Sequence, residues 1–139
     1  MPYLQLDVNG HYSLDVKRRW AKRMGDTYAE IMTTEVSRIT VALRELGEGA
    51  VWRCGKAEPR QVALLMCDIR RGRTPDRRGR LAKALLEVCT EMLNLQADSL
   101  NIEFTQHSGD EMYHPLMGGF SDDWREDEMD TPDNIEKAG

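Results

Sequence analysis

Apolar and polar side chains take turns at the start of the chain: Leu4, Leu6 and Val8 alternate with Tyr3, Gln5 and Asp7. A period of two marks a strand with one buried face, so Tyr3–Val8 predicts a β-strand. From 14 to 32 the apolar residues return every three or four positions, as they do again from 75 to 93. Each stretch predicts a helix with one apolar stripe, through Trp20, Met24 and Ile31 in the first and Leu81, Leu85 and Met92 in the second. Ser13 and Thr74 stand where a side-chain oxygen can cap the first free helical N–H groups. Pro75, at the first helical position, forfeits no intrahelical bond. Arg38–Leu43 and Leu100–Thr105 alternate again, whereas Val62–Ile69 is more continuously apolar and predicts a strand buried on both faces.

The order strand, helix, strand occurs twice. A shift of 61 places lays Trp20-Ala21-Lys22 on Leu81-Ala82-Lys83, Ser13 on Thr74, and Ile39, Val41 and Leu43 on Leu100, Ile102 and Phe104. Each β-α-β unit favours parallel pairing of its own two strands through a right-handed crossover. The expected fold is α+β, two tandem repeats (about 2–55 and 62–120) joined in one four-stranded sheet with both helices on one face. The other face is then uncovered and only partly polar, which predicts association with further copies.

The chain of 139 residues has the length of one domain, with 40% apolar residues for its core. The net charge of −5 is uneven. Eight acids against Arg125 and Lys137 put −6 on residues 122–139, leaving +1 on residues 1–121. The expected domain is therefore 1–121, followed by an acidic, solvated and flexible tail. That balance argues against nucleic acid as the partner of the whole protein. No run of 18 apolar residues or N-terminal signal block is present, and the three cysteines form no CxxC pair, which together predict a cytoplasmic protein with reduced thiols and no membrane span.

Candidate chemistry lies where the two copies differ. Pro2 falls on Ala63, Arg70 on Asn9, Arg73 on Tyr12 and Glu103 on Ala42. If the first strands of the two units pair antiparallel, Pro2 meets Arg70 and Arg73 across the seam. Removal of Met1 turns the Pro2 nitrogen from an amide into a secondary amine. An α-amino group titrates at about 7.7–8.0, and an apolar pocket beside guanidinium groups lowers that value toward the range useful for general acid–base work. Arg70, Arg71 and Arg73 stand between a strand and a helix, and guanidinium forks bind carboxylates bidentately. The same arginines, extended by Arg77, Arg78 and Arg80, also fit a basic surface patch.

A Pro directly after Met, an apolar strand, and then Gly72-Arg73-Thr74 opening a charged helix resemble the tautomerase superfamily, most of all its fused, double-length members. The resemblance spans roughly residues 2–120. It implies a homotrimer acting on a small carboxylate substrate without a cofactor, with Pro2 as the catalytic acid–base group. Arg70 and Arg73 match the carboxylate-holding arginines of the cis-3-chloroacrylic acid dehalogenase branch; Arg71 and Arg73 match those of the malonate semialdehyde decarboxylase branch. The dehalogenase branch carries His, Tyr and Glu where this chain has Tyr28, Glu103 and His114. Simple keto–enol tautomerisation demands the least, a proton shuttle and stabilisation of carboxylate and enolate. The implied activity is thus an isomerase for small enol or α-keto acids, with hydratase, dehalogenase or decarboxylase chemistry as the alternative on the same fold.

Glu103, among apolar neighbours in the last strand, is a candidate half-buried second acid–base group or a partner for an arginine. Tyr28 is a candidate proton donor or helix-packing residue. His107, Asp110, Glu111 and His114 match no ligand spacing, so no metal is expected. A reading of another class is a non-catalytic binding module that uses the Arg70–Arg80 patch, unless the acidic tail screens that patch within the molecule.

Overall fold

A computed structural model describes residues 1–115, 119–120 and 122–125. Eight main elements follow in order: β1 (Tyr3–Val8), α1 (Leu14–Met32), β2 (Thr40–Glu45), β3 (Trp52–Arg53), β4 (Arg60–Gln61), β5 (Ala63–Arg70), α2 (Pro75–Leu93) and β6 (Leu100–His107). The main sheet runs β2-β1-β5-β6. Its outer pairs, β1 with β2 and β5 with β6, are parallel, and its central pair β1 with β5 is antiparallel. This is the expected pair of β-α-β units joined at their first strands.

Both helices begin and end at the predicted residues, and the reasons are local. The Ser13 and Thr74 side chains accept from the N–H groups of Val16 and Arg77. Both helices stop on a left-handed residue, Thr33 at φ 53° and Asn94 at φ 54°, positions that correspond under the 61-place shift. The buried stripes correspond as well: Trp20, Met24, Tyr28 and Met32 on α1, with Leu81, Leu85, Cys89 and Leu93 on α2. They pack onto Leu4, Leu6 and Val8 of β1 and Leu65, Cys67 and Ile69 of β5. Burial pushes the Cys67 thiol up to about 12 and the Cys89 thiol up to about 11, which leaves neither as a nucleophile.

Two strand expectations change. β2 starts at Thr40, not Arg38, because Val36–Arg38 closes a 3-10 turn first. β5 alternates buried and half-buried residues, so it is not sealed on both faces. Its Leu64, Met66 and Asp68 share the face without helices with Tyr3, Gln5 and Asp7, because strand side chains alternate sides. Cross-strand partners Asp7 and Arg44 form an ion pair there at 3.0 Å. Between the units, β3 and β4 form a small antiparallel ribbon. Asn9 ties its base, donating to the carbonyls of Val51 and Val62 and accepting from the N–H groups of Ala50 and Val51. No helix of the described residues is long and apolar enough to cross a membrane.

Candidate active site

The antiparallel register places Tyr3 opposite Asp68; continued outward, it sets Pro2 beside Ile69 and Met1 beside Arg70. Pro2 is buried, and its carbonyl accepts from the Thr40 N–H at 3.1 Å, which anchors the chain start to β2. In the chain that retains Met1, the terminal amine lies just outside Pro2. Its pKa is lowered from 8.0 to about 6, first by burial and then by the charges of Arg70, Arg38 and Arg73, with Asp68 opposing. This amine stands in for the secondary amine that Pro2 acquires, one residue deeper, when Met1 is removed.

Arg70 ends β5, and Arg73 immediately precedes the capping Thr74 of α2. They are the buried charged residues among those described, 6% and 5% exposed. Arg70 donates to the Asp122 carbonyl at 3.1 Å. Arg73 donates to the Met32 carbonyl in the last turn of α1 at 3.0 Å, where a cation complements the helix dipole. Arg71 turns outward, more than half exposed, with Asp123 3.5 Å away. Tyr28 is fully buried in α1; burial pushes its phenol above the usual range while the Arg73 charge opposes. Its hydroxyl has no hydrogen-bond partner among the described residues.

Other candidates lie elsewhere. Glu103, expected half-buried, is exposed on the open sheet face opposite Met66, because alternate residues of β6 point away from the helices. His114 follows β6 in a backbone bridge with Gly119. His107 pairs with Asp68 at 2.6 Å, while Asp110 and Glu111 both accept from the Ser108 hydroxyl. No group of three His, Cys, Asp or Glu side chains converges as a metal site among the described residues. The basic run is mostly directed inward: Arg77 donates to the Ile31 carbonyl and the Thr33 hydroxyl, and Arg78 to the Arg73 carbonyl.

Two residues, one whose charge acts on the amine and one packed on Arg73, escaped the sequence reading. Arg38, in the 3-10 turn before β2, acts on the amine more strongly than Arg73 does. Its signal was available, since the 61-place shift lays Arg38 on Ser99. Trp124 was assigned to the solvated tail, yet it is only 3% exposed, with its ring 4.7 Å from the Arg73 guanidinium. Residues 126–139 of that tail lie outside the described residues.

No protein-family model matches the sequence, and no curated protein matches it. Solved structures do match its fold. A member of the cis-3-chloroacrylic acid dehalogenase family superposes with a TM-score of 0.77 at 15% identity, covering 97% of this chain and 96% of that one. A fused 4-OT described as a symmetric trimer gives 0.74 at 18% identity, covering 86% and 94%. A malonate semialdehyde decarboxylase inhibited by 3-bromopropiolate gives 0.65 at 16% identity, covering 79% and 86%. The fold of this chain, two β-α-β units in one four-stranded sheet, is therefore the fold of these tautomerase-superfamily structures.

Proposed function

We propose that the chain is a tautomerase-superfamily isomerase that moves a proton in small enol or α-keto carboxylates, using Pro2 after Met1 removal. The observation that carries this reading is the half-buried Met1 amine, whose pKa is lowered to about 6 by burial and by the charges of Arg70, Arg38 and Arg73. A free-base amine near neutral pH is a competent proton acceptor. Arg70 and Arg73 supply the charge for a carboxylate, and Tyr28 is a neutral donor on the same side of the core. The Pro2 nitrogen takes the enol O–H proton. The freed electron pair forms the carbonyl, the double-bond pair turns to carbon, and carbon recovers the proton from the pyrrolidinium. Atoms and charge balance without a cofactor.

The binding-module reading is less well supported, because Arg70, Arg73, Arg77 and Arg78 are tied into the protein's own backbone. Within the fold, Asp68 is the carboxylate among the described residues whose charge acts on the amine, and it opposes the arginines.

The test is to expose processed protein to 3-bromopropiolate and map the adduct by mass spectrometry. The expected result is a label on the Pro2 nitrogen, loss of phenylenolpyruvate or 2-hydroxymuconate turnover, and protection by substrate. Full turnover with Met1 retained, or with Pro2 blocked, would overturn the reading. The open sheet face and the trimeric fused 4-OT structure also support a homotrimer. Light scattering after size exclusion is expected to give about three chains; a monomer at micromolar concentration contradicts it.

A further inference from the structure

The two guanidinium groups required by the proposed chemistry are nearly sealed from solvent, and one short piece of chain bears on both. The Asp122 carbonyl accepts from Arg70 Nη1 at 3.1 Å. The Trp124 ring lies 4.7 Å from the Arg73 guanidinium carbon and 5.0 Å from that of Arg77. The Trp124 N–H donates to the Arg71 carbonyl at 2.7 Å. Asp123 accepts from the Gly109 N–H at 3.1 Å and approaches Arg71. Gly72 marks the seat of this segment. A Cβ there would lie 2.0 Å from the Trp124 carbonyl oxygen, and its φ of 128° already favours glycine.

We propose that residues 122–125 are a strap occupying the carboxylate site of the resting protein, with Trp124 as its latch, and that an anionic substrate enters by displacing it. The proposal rests on reading Arg70 and Arg73 as that site. Three features make the strap an exchangeable occupant. The Asp122 carbonyl uses an Arg70 N–H that a carboxylate would also use, and an ionised acceptor binds a guanidinium more strongly than a neutral carbonyl does. Trp124 holds Arg73 and Arg77 by their faces, a cation–π contact that consumes none of their N–H donors. The Trp124 indole N–H is itself buried without an acceptor among the described residues, so docking leaves one donor unmade and the closed state weakened.

The experiment compares native protein with Trp124→Ala, Trp124→Phe and Trp124→Leu. The first readout is the rate of phenylglyoxal modification at Arg70 and Arg73, mapped by peptide mass spectrometry without substrate. Modification is expected to be slow in the native protein and in the phenylalanine variant, which keeps a ring on the guanidiniums. It is expected to be several-fold faster in the alanine and leucine variants. Should the alanine variant fail to fold, the leucine–phenylalanine comparison decides, since leucine keeps apolar bulk and loses only the ring. Equal rates in native protein and the ring-less variants overturn the proposal. The second readout is malonate titration, expected to show tighter binding when the ring is absent. Malonate binding that is measurable but equally tight in all variants also overturns the strap as an occupant. Faster modification with no malonate protection in any variant upholds the strap and overturns the carboxylate reading beneath it.

Discussion

At one end of the central strand pair, Arg73 donates to the Met32 carbonyl in the last turn of α1 at 3.0 Å. At the other end, Tyr12 donates to the Leu93 carbonyl in the last turn of α2, also at 3.0 Å. Both partners correspond under the same 61-place shift, so this is one structural tie made twice. The same shift sets Ala63, Asn9, Cys89 and Ser99 in correspondence with Pro2, Arg70, Tyr28 and Arg38. Asn9 spends its side chain holding the β3–β4 ribbon, and a cavity bordered by Asn9, Ala63, Asn94 and Ser99 contains no charged residue. The difference separates a tie alone from a tie that also carries charge. A hydroxyl has a single proton to give and spends it on the tie. A guanidinium has five N–H donors and a permanent charge, so the same tie is made while charge is delivered to the chain's amine.

The largest test of that comparison replaces each tie. Arg73→Ala is expected to lower kcat/KM for a carboxylate-bearing enol by about 1.5–3 kcal/mol, roughly ten- to more than a hundredfold. It also lowers folding stability, because the Met32 carbonyl loses its donor. Tyr12→Phe removes the equivalent bond and is expected to cost about 1 kcal/mol of stability with turnover unchanged. Paired steady-state kinetics and denaturant melts check both. Equal losses of turnover at the two ends would reduce Arg73 to a tie.

A smaller effect is expected from pH. The folded amine of the chain that retains Met1 titrates near 6 against 8.0 for its unperturbed value. As pH falls from 8 to 6 the unfolded state takes up this proton before the folded state does. Stability therefore declines across that window and levels off below it. Melting temperatures of Met1-retaining protein between pH 6 and 9, set against an N-terminally acetylated control, isolate the effect. The control lacks the amine and is expected to show no such decline from this group. Parallel curves would place the amine in water and remove the electrostatic contrast between the two ends.

The repeat was legible because its evidence is local and periodic. Helix bounds followed from Ser13, Thr74 and the three-to-four spacing, all readable within a few residues. The antiparallel joining of β1 with β5, which brings the chain's amine under the charges of Arg70 and Arg73, was legible at one remove, since a duplicated unit leaves few ways to join its first strands. Glu103 was misplaced because apolar neighbours along a strand do not say which face an individual residue takes. Trp124 was misplaced because an acid-rich neighbourhood outweighed one indole in a composition-based reading.

By itself, therefore, the sequence determined the two β-α-β units, their caps, their buried stripes and the positions at which the copies differ. These depend on contacts between residues close together or related by one fixed shift. Tertiary structure alone decided that the Arg38 charge acts on the amine, that Arg71 turns away to Asp123, and that Trp124 lies over Arg73 and Arg77. Such contacts join segments dozens of residues apart. Their geometry depends on how the packed elements bring loop and terminus together, which no local periodicity records.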